Sequence, residues 1–567
     1  MYPFYPSAYW KLVSIIAVLF CVTQASAQNT PSNNTRPAAV PEVLPVPYTT
    51  TPNYIRTWEP SKPISDPAVT IDPNRTVSEV KQSTQYFDGM GRLIQTVNKG
   101  ASGTGKDLVT PLTYDEYGRE QFKYLPYVPQ AGNTSDGNLK TDPFNSQRTF
   151  YQDNNLNPGA KGESIFYSQT DFELSPLNRS LGSYAAGNSW AKTGGNRPAI
   201  QQYLINTTVD SVRIWKMADP TPVSTSIYDA GQLYKTVTID EGRVQTIVYK
   251  NNADRVVLKK VQLSDAPGTA HMGWLCTYYV YDDLGNLRVI IPPLAVERIT
   301  STWNVASVAD ELCFQYRFDA FNRMIEKKVP GAAVVEMVYD IRDRVAASRD
   351  GNLKANNQWL VNFYDSYNRV VETALYNSPS SRDVLQTGLN GSTGTGTTSY
   401  QVPGIANLVV AIDDRNTYVA TSSVTLENGF DTGDGKEREI FIDPSLKGDI
   451  INLTVTNPLP GIAPGALTPL TYTYYDNYNY PGAQSAQSGD FPKPQPGNNP
   501  YPEPTTISTV IQGLITGTKV RVVDTDQWLN TTTYYDEKGK VFHVISDNAA
   551  GGKNVTTTLY DFNGKIL

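Results

Sequence analysis

Residues 316–375 read YRFDAFNRMIEKKVPGAAVVEMVYDIRDRVAASRDGNLKANNQWLVNFYDSYNRVVETAL. Three times in this stretch an aromatic is followed by Asp, two variable residues, usually Asn or Gly, and then Arg. The copies are Phe318-Asp319-Ala320-Phe321-Asn322-Arg323, Tyr339-Asp340-Ile341-Arg342-Asp343-Arg344 and Tyr364-Asp365-Ser366-Tyr367-Asn368-Arg369. They start 21 and then 25 residues apart. The physics of one unit is a β-hairpin. A β-prone strand ends in the aromatic, the Asp side chain accepts backbone N–H groups in an Asx-turn, and the Asn or Gly takes a positive φ at little cost. The basic residue then opens the return strand. One hairpin is marginal in water, so a period of 20–25 residues predicts many hairpins sharing a core.

The pattern extends in both directions. Upstream are Phe87-Asp88-Gly89-Met90-Gly91-Arg92, Tyr114-Asp115-Glu116-Tyr117-Gly118-Arg119, the shorter Tyr228-Asp229-Ala230-Gly231, and Tyr281-Asp282-Asp283-Leu284-Gly285-Asn286. Downstream are the weaker Tyr475-Asp476-Asn477-Tyr478, then Tyr535-Asp536-Glu537-Lys538-Gly539-Lys540 and Tyr560-Asp561-Phe562-Asn563-Gly564-Lys565.

These motifs resemble the YD repeats of the RHS family, whose members are also similar to parts of insecticidal toxin complexes and to animal teneurins. Residues 316–375 look especially like secreted RHS-type proteins of Bacteroidota. Gln85 to Val97, Lys106 to Val109 and Tyr114 to Pro129 resemble the uncharacterised N-terminal domain that heads many of them. The resemblance covers most of residues 53–375 and, more thinly, 470–567. It implies an all-β fold, in which the hairpin array curls into a spiral or partial hollow shell that encloses a toxin or presents an effector. Members of the family often close the shell with an Asp-Pro-x-Gly-Leu core segment and a self-cleaving Asp. Neither motif is found in this sequence, so no protease residue carries over, and the chain reads as the N-terminal part of a longer system, a truncated frame or half of a split shell.

The N-terminus has its own logic. Lys11 precedes the largely apolar run Leu12 to Val22, and Ala25-Ser26-Ala27 follows. This is the layout of an export signal cleaved between Ala27 and Gln28; the run is short of the roughly 20 residues of a membrane span. Residues 28–80 are Pro-, Thr- and Asn-rich and read as an extended, partly disordered lead ending in a first strand near Tyr54 to Trp58. The expected organisation continues with an N-terminal RHS-associated domain (81–215), the repeat region (216–378), a flexible linker (379–398), an inserted β module resembling a three-coathanger stack (399–465), and further hairpins (466–567) with a second flexible stretch from Pro481 to Pro504. Pro293 to about Leu312 is expected to form one helix, from Pro near its start and apolar residues at helical spacing.

Composition supports this reading. Among 567 residues there are 36 Tyr, 41 Gly and 39 Pro, against 2 His and 6 Met. Such a chain suits short strands and many turns and leaves little room for histidine catalysis or a multi-histidine metal site. Charged residues are 18%, which argues against a coiled coil, and the net charge of −7 argues against a nucleic-acid partner. No integral membrane segment is expected after signal removal.

No catalytic, cofactor or metal residue is assigned. The repeated Asp has a structural reading as a turn cap. Asp431-Thr432-Gly433-Asp434-Gly435 superficially resembles a calcium loop but lacks the further acceptors and closing Glu. The repeated Tyr side chains pack between strands or, in the rival reading, form a sugar platform. Cys276 and Cys313 each lie five residues before the aromatic of their unit, and export makes a disulfide between them one option, two buried thiols the other. His271 and His543 lack a neighbouring nucleophile or ligand cluster. The leading expectation is an exported, non-enzymatic scaffold at the cell surface or beyond it, with an effector or the rest of a shell as partner. The rivals are a glycan- or surface-protein-binding module and a hydrolase.

Overall fold

The computed structural model describes residues 37–567 apart from 50–51, 65, 219, 405–406, 411–415, 432, 434, 436, 463–465, 498–501 and 526. The expected signal, with Ala27 and Gln28, lies outside the described residues, as do Thr432 and Asp434 of the calcium-like stretch. Among the described residues no helix is long and apolar enough to cross a membrane. The fold is all-β, built almost wholly from antiparallel hairpins. The chain forms two compact units. The first comprises Met1–Pro60, Asp66–Val212 and Tyr228–Leu275; the second comprises Ser61–Ser65, Arg213–Ile227 and Cys276–Leu567.

In the first unit, Asn53–Pro60, Val80–Phe87, Leu93–Asn98 and Leu108–Pro111 form a four-stranded sheet in chain order. Alternation along Val80–Phe87 buries Val80, Gln82, Thr84 and Tyr86, and Tyr86, Val97, Val109 and Tyr127 make a core beneath it. A second sheet runs from Phe122–Tyr124 through Tyr167–Phe172, Ser180–Tyr184 and Ala199–Ile205 to Tyr234–Ile239, Gln245–Lys250 and Val256–Gln262. Because Tyr234–Ile239 pairs with Ala199–Ile205, the hairpins after 228 belong to the N-terminal unit, and the break between units falls at 275, inside the stretch 216–378 expected to be one region. The Pro-rich lead is not loose over its described part. Tyr48 N–H donates to the Thr141 carbonyl at 2.8 Å, Glu42 N–H to the Tyr167 hydroxyl at 2.9 Å, and Ala39 and Leu44 pack on the Tyr124–Phe144 core; two apolar side chains and paired amides outweigh its polar composition.

In the second unit, consecutive hairpins run from Trp274–Tyr281 and Leu287–Ile291 through Phe314–Phe318, Met324–Lys328, Val335–Tyr339 and Val345–Arg349 to Gln358–Tyr364 and Val370–Asn377. Val370–Asn377 then pairs directly with Leu467–Tyr475, and the sheet continues through Ile515–Arg521, Trp528–Tyr535, Val541–Asp547 and Lys553–Thr557. Residues between 378 and 466 are therefore an insertion that leaves the repeat sheet uninterrupted. Its stem is the long hairpin Thr395–Pro403 with Lys447–Thr456. Beyond the stem lie two parallel pairs, Asn407–Val410 with Ser423–Leu426 and Thr417–Ala420 with Glu439–Ile442, closed around Leu408, Val410, Tyr418 and Ala420.

Three expectations are corrected. The linker 379–398 holds a helix, Arg382–Asn390, with the Ser381 hydroxyl accepting from the Val384 N–H; Leu385 and Leu389 are buried in the core around Trp359, an apolar face that its Gly- and Thr-rich tail masks in the sequence. The single helix from Pro293 breaks into Pro293–Ile299 and Ala309–Leu312, because the Thr- and Ser-rich turn between them carries Trp303 at φ +50°. The stretch from Pro481 to Pro504 is anchored where it is described, with Phe491 on Phe542 at 5.1 Å between ring centres.

Cys276 and Cys313 are buried as two separate thiols. Cys276 lies on Trp274–Tyr281 and Cys313 immediately before Phe314–Phe318, and Leu287–Ile291 is hydrogen-bonded between those strands. Two strand spacings separate the backbones by about 10 Å, whereas a disulfide needs Cα atoms within about 7 Å. Burial pushes the Cys313 thiol up to about 12, so it reacts slowly in the folded chain. Mass spectrometry of the denatured, unreduced, alkylated protein is expected to show both cysteines modified; a bridged peptide containing Cys276 and Cys313 would contradict this geometry.

Candidate functional site

The repeated motif builds one local structure many times over. In the Tyr339 unit, Asp340 N–H donates to the Arg344 carbonyl and Asp343 N–H to the Asp340 carbonyl, at 3.0 and 3.2 Å. Asp340 Oδ1 accepts from the backbone N–H groups of Arg342 and Arg344 at 2.8 and 3.1 Å, and Oδ2 accepts from Arg344 Nε at 2.7 Å. Asp343 sits at φ +60°, and the aromatic marks a bulge in the register of the strands. This is a three-residue hairpin loop closed by a left-handed residue. The same contacts recur at Asp88 with Arg92, Asp115 with Arg119, Asp319 with Arg323 and Asp365 with Arg369. Asp282 caps Asn286, Asp536 caps Lys538 and Lys540, and Asp561 caps Lys565. Gly91, Gly118, Gly285, Gly539 and Gly564 hold the positive φ in their units. The Asp88 carboxyl is held below the usual range, chiefly by the Arg92 N–H. At Asp319 burial opposes the charge, and the Arg323 N–H and guanidinium outweigh it.

Two units depart from the pattern. In the short copy, Asp229 N–H donates to Gln232 Oε1, and Asn206 organises the loop by accepting from the Leu233 N–H. Asp476 is itself the left-handed residue, at φ +69°.

A second layer joins one repeat to the next. The Arg323 guanidinium lies 5.0 Å over the Tyr339 ring, Arg344 lies 4.4 Å over Tyr364 and Arg369 lies 4.2 Å over Tyr475. Each of these Tyr hydroxyls donates to the carbonyl of the residue after that Arg: Tyr339 to Met324 at 2.7 Å, Tyr364 to Val345 at 2.8 Å and Tyr475 to Val370 at 3.2 Å. Tyr114 and Leu93 repeat the arrangement in the first unit. The basic residues also reach the left-handed residue of the following turn, Arg323 to Asp343, Arg344 to Asn368, and Arg369 to both oxygens of Asp476. In these links Tyr contributes its hydroxyl and Arg its planar fork; Lys540 with Tyr560 makes the same pairing through an ammonium. The last of these links spans the insertion.

Sequence reasoning missed further turns of the same geometry at Asp240, Asn251 and Asn548, which cap the residues four positions on. No aromatic stands directly before any of the three, and Asn replaces Asp at two of them, so the motif does not match. It also missed three buried ion centres. Asp107 accepts from the Gly100 and Gly137 N–H groups and pairs with Lys140 at 2.7 Å. Asp210 accepts from Thr207, Tyr249 and Lys235; Thr207-x-x-Asp210 is a capping-box spacing that could have flagged it. Glu336 binds Arg349 and Lys354. Each carboxylate is saturated by fixed donors, as a structural pin requires.

Glu372 differs. It is 1% exposed on Val370–Asn377, and no donor meets either carboxyl oxygen in full hydrogen-bond geometry. Burial raises its pKa to about 7, and the Thr398 and Tyr472 hydroxyls lower it only in part. His543 is buried, with Nδ1 2.9 Å from Thr557 Oγ1 and Nε2 accepting from the Gln487 N–H; burial lowers its pKa. Among the described residues no group of three or more His, Cys, Asp or Glu is placed to hold a metal ion.

A family model described as a domain of unknown function, DUF6443, matches residues 56–204. No curated protein matches the chain. Among solved structures, TcdB2-TccC3-TEV is similar over 97% of this chain and 24% of that chain, at 12% identity and a TM-score of 0.37. TcdB2-TccC3 without its hypervariable C-terminal region matches over 98% and 21%, at 11% identity and 0.37. The Tc holotoxin pore of Photorhabdus luminescens matches over 90% and 22%, at 13% identity and 0.34. The chain thus spans about a quarter of the length of these solved chains. At such TM-scores the likeness decides nothing about the fold, which stands on the register of the hairpins themselves.

Proposed function

We propose that the chain is an exported, non-enzymatic β-repeat scaffold of an RHS-like system, which encloses or displays an effector or mediates contacts at the cell surface. The observation that carries this reading is the Asp–Arg–Tyr ladder. It joins the hairpins of Asp319, Asp340 and Asp365 in the second unit and passes the insertion through Arg369 and Asp476, so these repeats act as one mechanical element. Its partner is an effector or a further portion of the shell. Fractionation of producing cells, with intact-mass analysis, tests the reading. The expected species begins at Gln28, lies outside the cytoplasm and co-elutes with a second polypeptide. A cytoplasmic chain with Met1 retained and no companion would overturn it.

A second reading is a surface-binding module. It is favoured by turn tips of the second unit, where Leu284, Phe321 and Tyr367 are 74–75% exposed. Replacing all three with Ser is expected to leave folding intact and to abolish adhesion to the partner surface; unchanged adhesion would remove this reading.

A further inference from the structure

Of the three buried ion centres, the one at Lys140 brings together the parts of a covalent bond. The Lys140 and Asp107 side chains are 5% and 0% exposed, and Nζ lies 2.7 Å from Asp107 Oδ2. Both partners are held through their backbones. Gln95, itself fully buried, accepts from the Lys140 N–H at 2.8 Å and donates to the Lys140 carbonyl at 3.0 Å. Asp107 stands just before the strand Leu108–Pro111, and its N–H donates to the Thr134 carbonyl at 2.7 Å. Each carboxyl oxygen of Asp107 also accepts a backbone N–H, Oδ1 from Gly100 and Oδ2 from Gly137, both at 2.9 Å. Amine and carboxyl are thus fixed in contact, a condition that can supply effective molarities of about 10⁵–10⁸ M. The two N–H groups point at the oxygens where charge gathers when a nucleophile adds to Cγ.

A third group completes the set. Asp136 Oδ1 lies 3.0 Å from the same ammonium. Burial opposes the Asp136 charge, but the Asn138 N–H and the Lys140 and Asn138 side chains outweigh it and hold the carboxyl down at about 2, so Asp136 is ionised and placed to accept a proton. Lys140 therefore bridges two carboxylates, whereas at the Asp210 centre one carboxylate is shared by Lys235 and the Tyr249 hydroxyl. The arrangement allows a condensation. Lys140 passes one proton to Asp136, and the neutral Nζ adds to Asp107 Cγ. The Nζ–Cγ bond forms and the Cγ–Oδ2 bond breaks. Oδ2 leaves as water, taking a second Lys140 proton and the one returned by Asp136. An ammonium and a carboxylate become one amide and one water, so atoms and charge balance without a further reactant. Oδ1 remains as the amide carbonyl, still facing the Gly100 N–H. A buried ion pair, costly to desolvate, is replaced by a neutral group.

We propose that the first unit forms an intramolecular isopeptide bond between Lys140 Nζ and Asp107 Cγ, made by the chain itself with Asp136 as proton relay. The bond ties together positions 33 residues apart and does not depend on the scaffold reading. The test is tryptic digestion and tandem mass spectrometry of the full chain, purified in the folded state. The expected product is a branched peptide that joins the Asp107 and Lys140 segments and is lighter than their sum by one water. Lys140→Arg keeps the positive charge and is expected to abolish the branched peptide. Asp136→Asn leaves both reacting groups in place and is expected to slow the reaction about a hundredfold, so that freshly purified variant is mostly linear. Asp107→Asn is expected to give a branched peptide of wild-type mass, because the carboxamide loses ammonia where the carboxyl loses water. Linear peptides with unmodified Lys140 from folded wild-type protein would overturn the proposal, and so would undiminished cross-linking in Asp136→Asn. If a variant fails to fold, the wild-type spectrum decides alone.

Discussion

Replacing Asp340 with Asn is expected to destabilise the second unit by about 3 kcal/mol, and replacing it with Ala by more. The Asp340 and Arg344 side chains are 1% and 9% exposed and lie 2.6 Å apart. Arg344 also donates to Asn368, Thr456 and Asn457 and stacks on Tyr364. Removing the carboxylate charge leaves the guanidinium buried without its counter-ion, a loss that typically costs about 3–5 kcal/mol. Asn keeps an oxygen for the two turn amides, as Asn548 does where Gly552 stands in the basic position. Ala also orphans those amides, at about 1 kcal/mol or more each. The control is Glu326→Gln: its partner Arg317 is 59% exposed, and such a pair is worth about 0–1 kcal/mol. Urea denaturation of the three variants measures the ranking. If Asp340→Asn is as mild as Glu326→Gln, the ladder is not what holds the hairpins together.

How much of this was legible follows from what is local. The aromatic-Asp-x-x-Gly/Asn-Arg spacing is a complete recipe for one loop, since every contact Asp319 makes in its turn lies within four residues. The hairpins and their sheet could be read from it. The ladder could not: Tyr364 reaching the Val345 carbonyl and Arg369 gripping Asp476, 107 residues on, depend on which hairpins lie side by side. The insertion was seen as a break in the pattern, but its edges were misplaced, because Gly-, Thr- and Pro-rich segments were read by composition while a few side chains, Leu385, Leu389 and Phe491 among them, anchor them. The disulfide option failed for a related reason. Equivalent positions in successive hairpins are two strands apart, so equal spacing from the motif separates Cys276 and Cys313 rather than joining them. Gln82 and Glu372 carry no sequence signal at all; Gln82 stands in an alternating strand and Glu372 beside the likewise buried Val371, and each is notable only for how poorly its polar atoms are satisfied.

Glu372→Gln is expected to stabilise the chain at pH 8 by about 3 kcal/mol and to change little below pH 4.5. The carboxyl titrates at about 7 in the folded chain against an ordinary value of 4.5. Between those values the folded state holds the proton and the unfolded state does not, so stability falls as pH rises through the window and levels off above it. Two and a half pH units correspond to about 3 kcal/mol. The direction is opposite to that of Asp319, whose carboxyl is lowered and whose contribution is lost in acid. The difference between wild type and variant therefore isolates Glu372 from the other carboxylates. Denaturation midpoints of both proteins at pH 4.5, 6 and 8 give the curve. A gap that widens with pH fits a neutral, buried acid where the stem strand Thr395–Pro403, which carries Thr398, meets Tyr472 of the repeat sheet. A gap that is constant, or that closes with rising pH, would mean the charge is already compensated there.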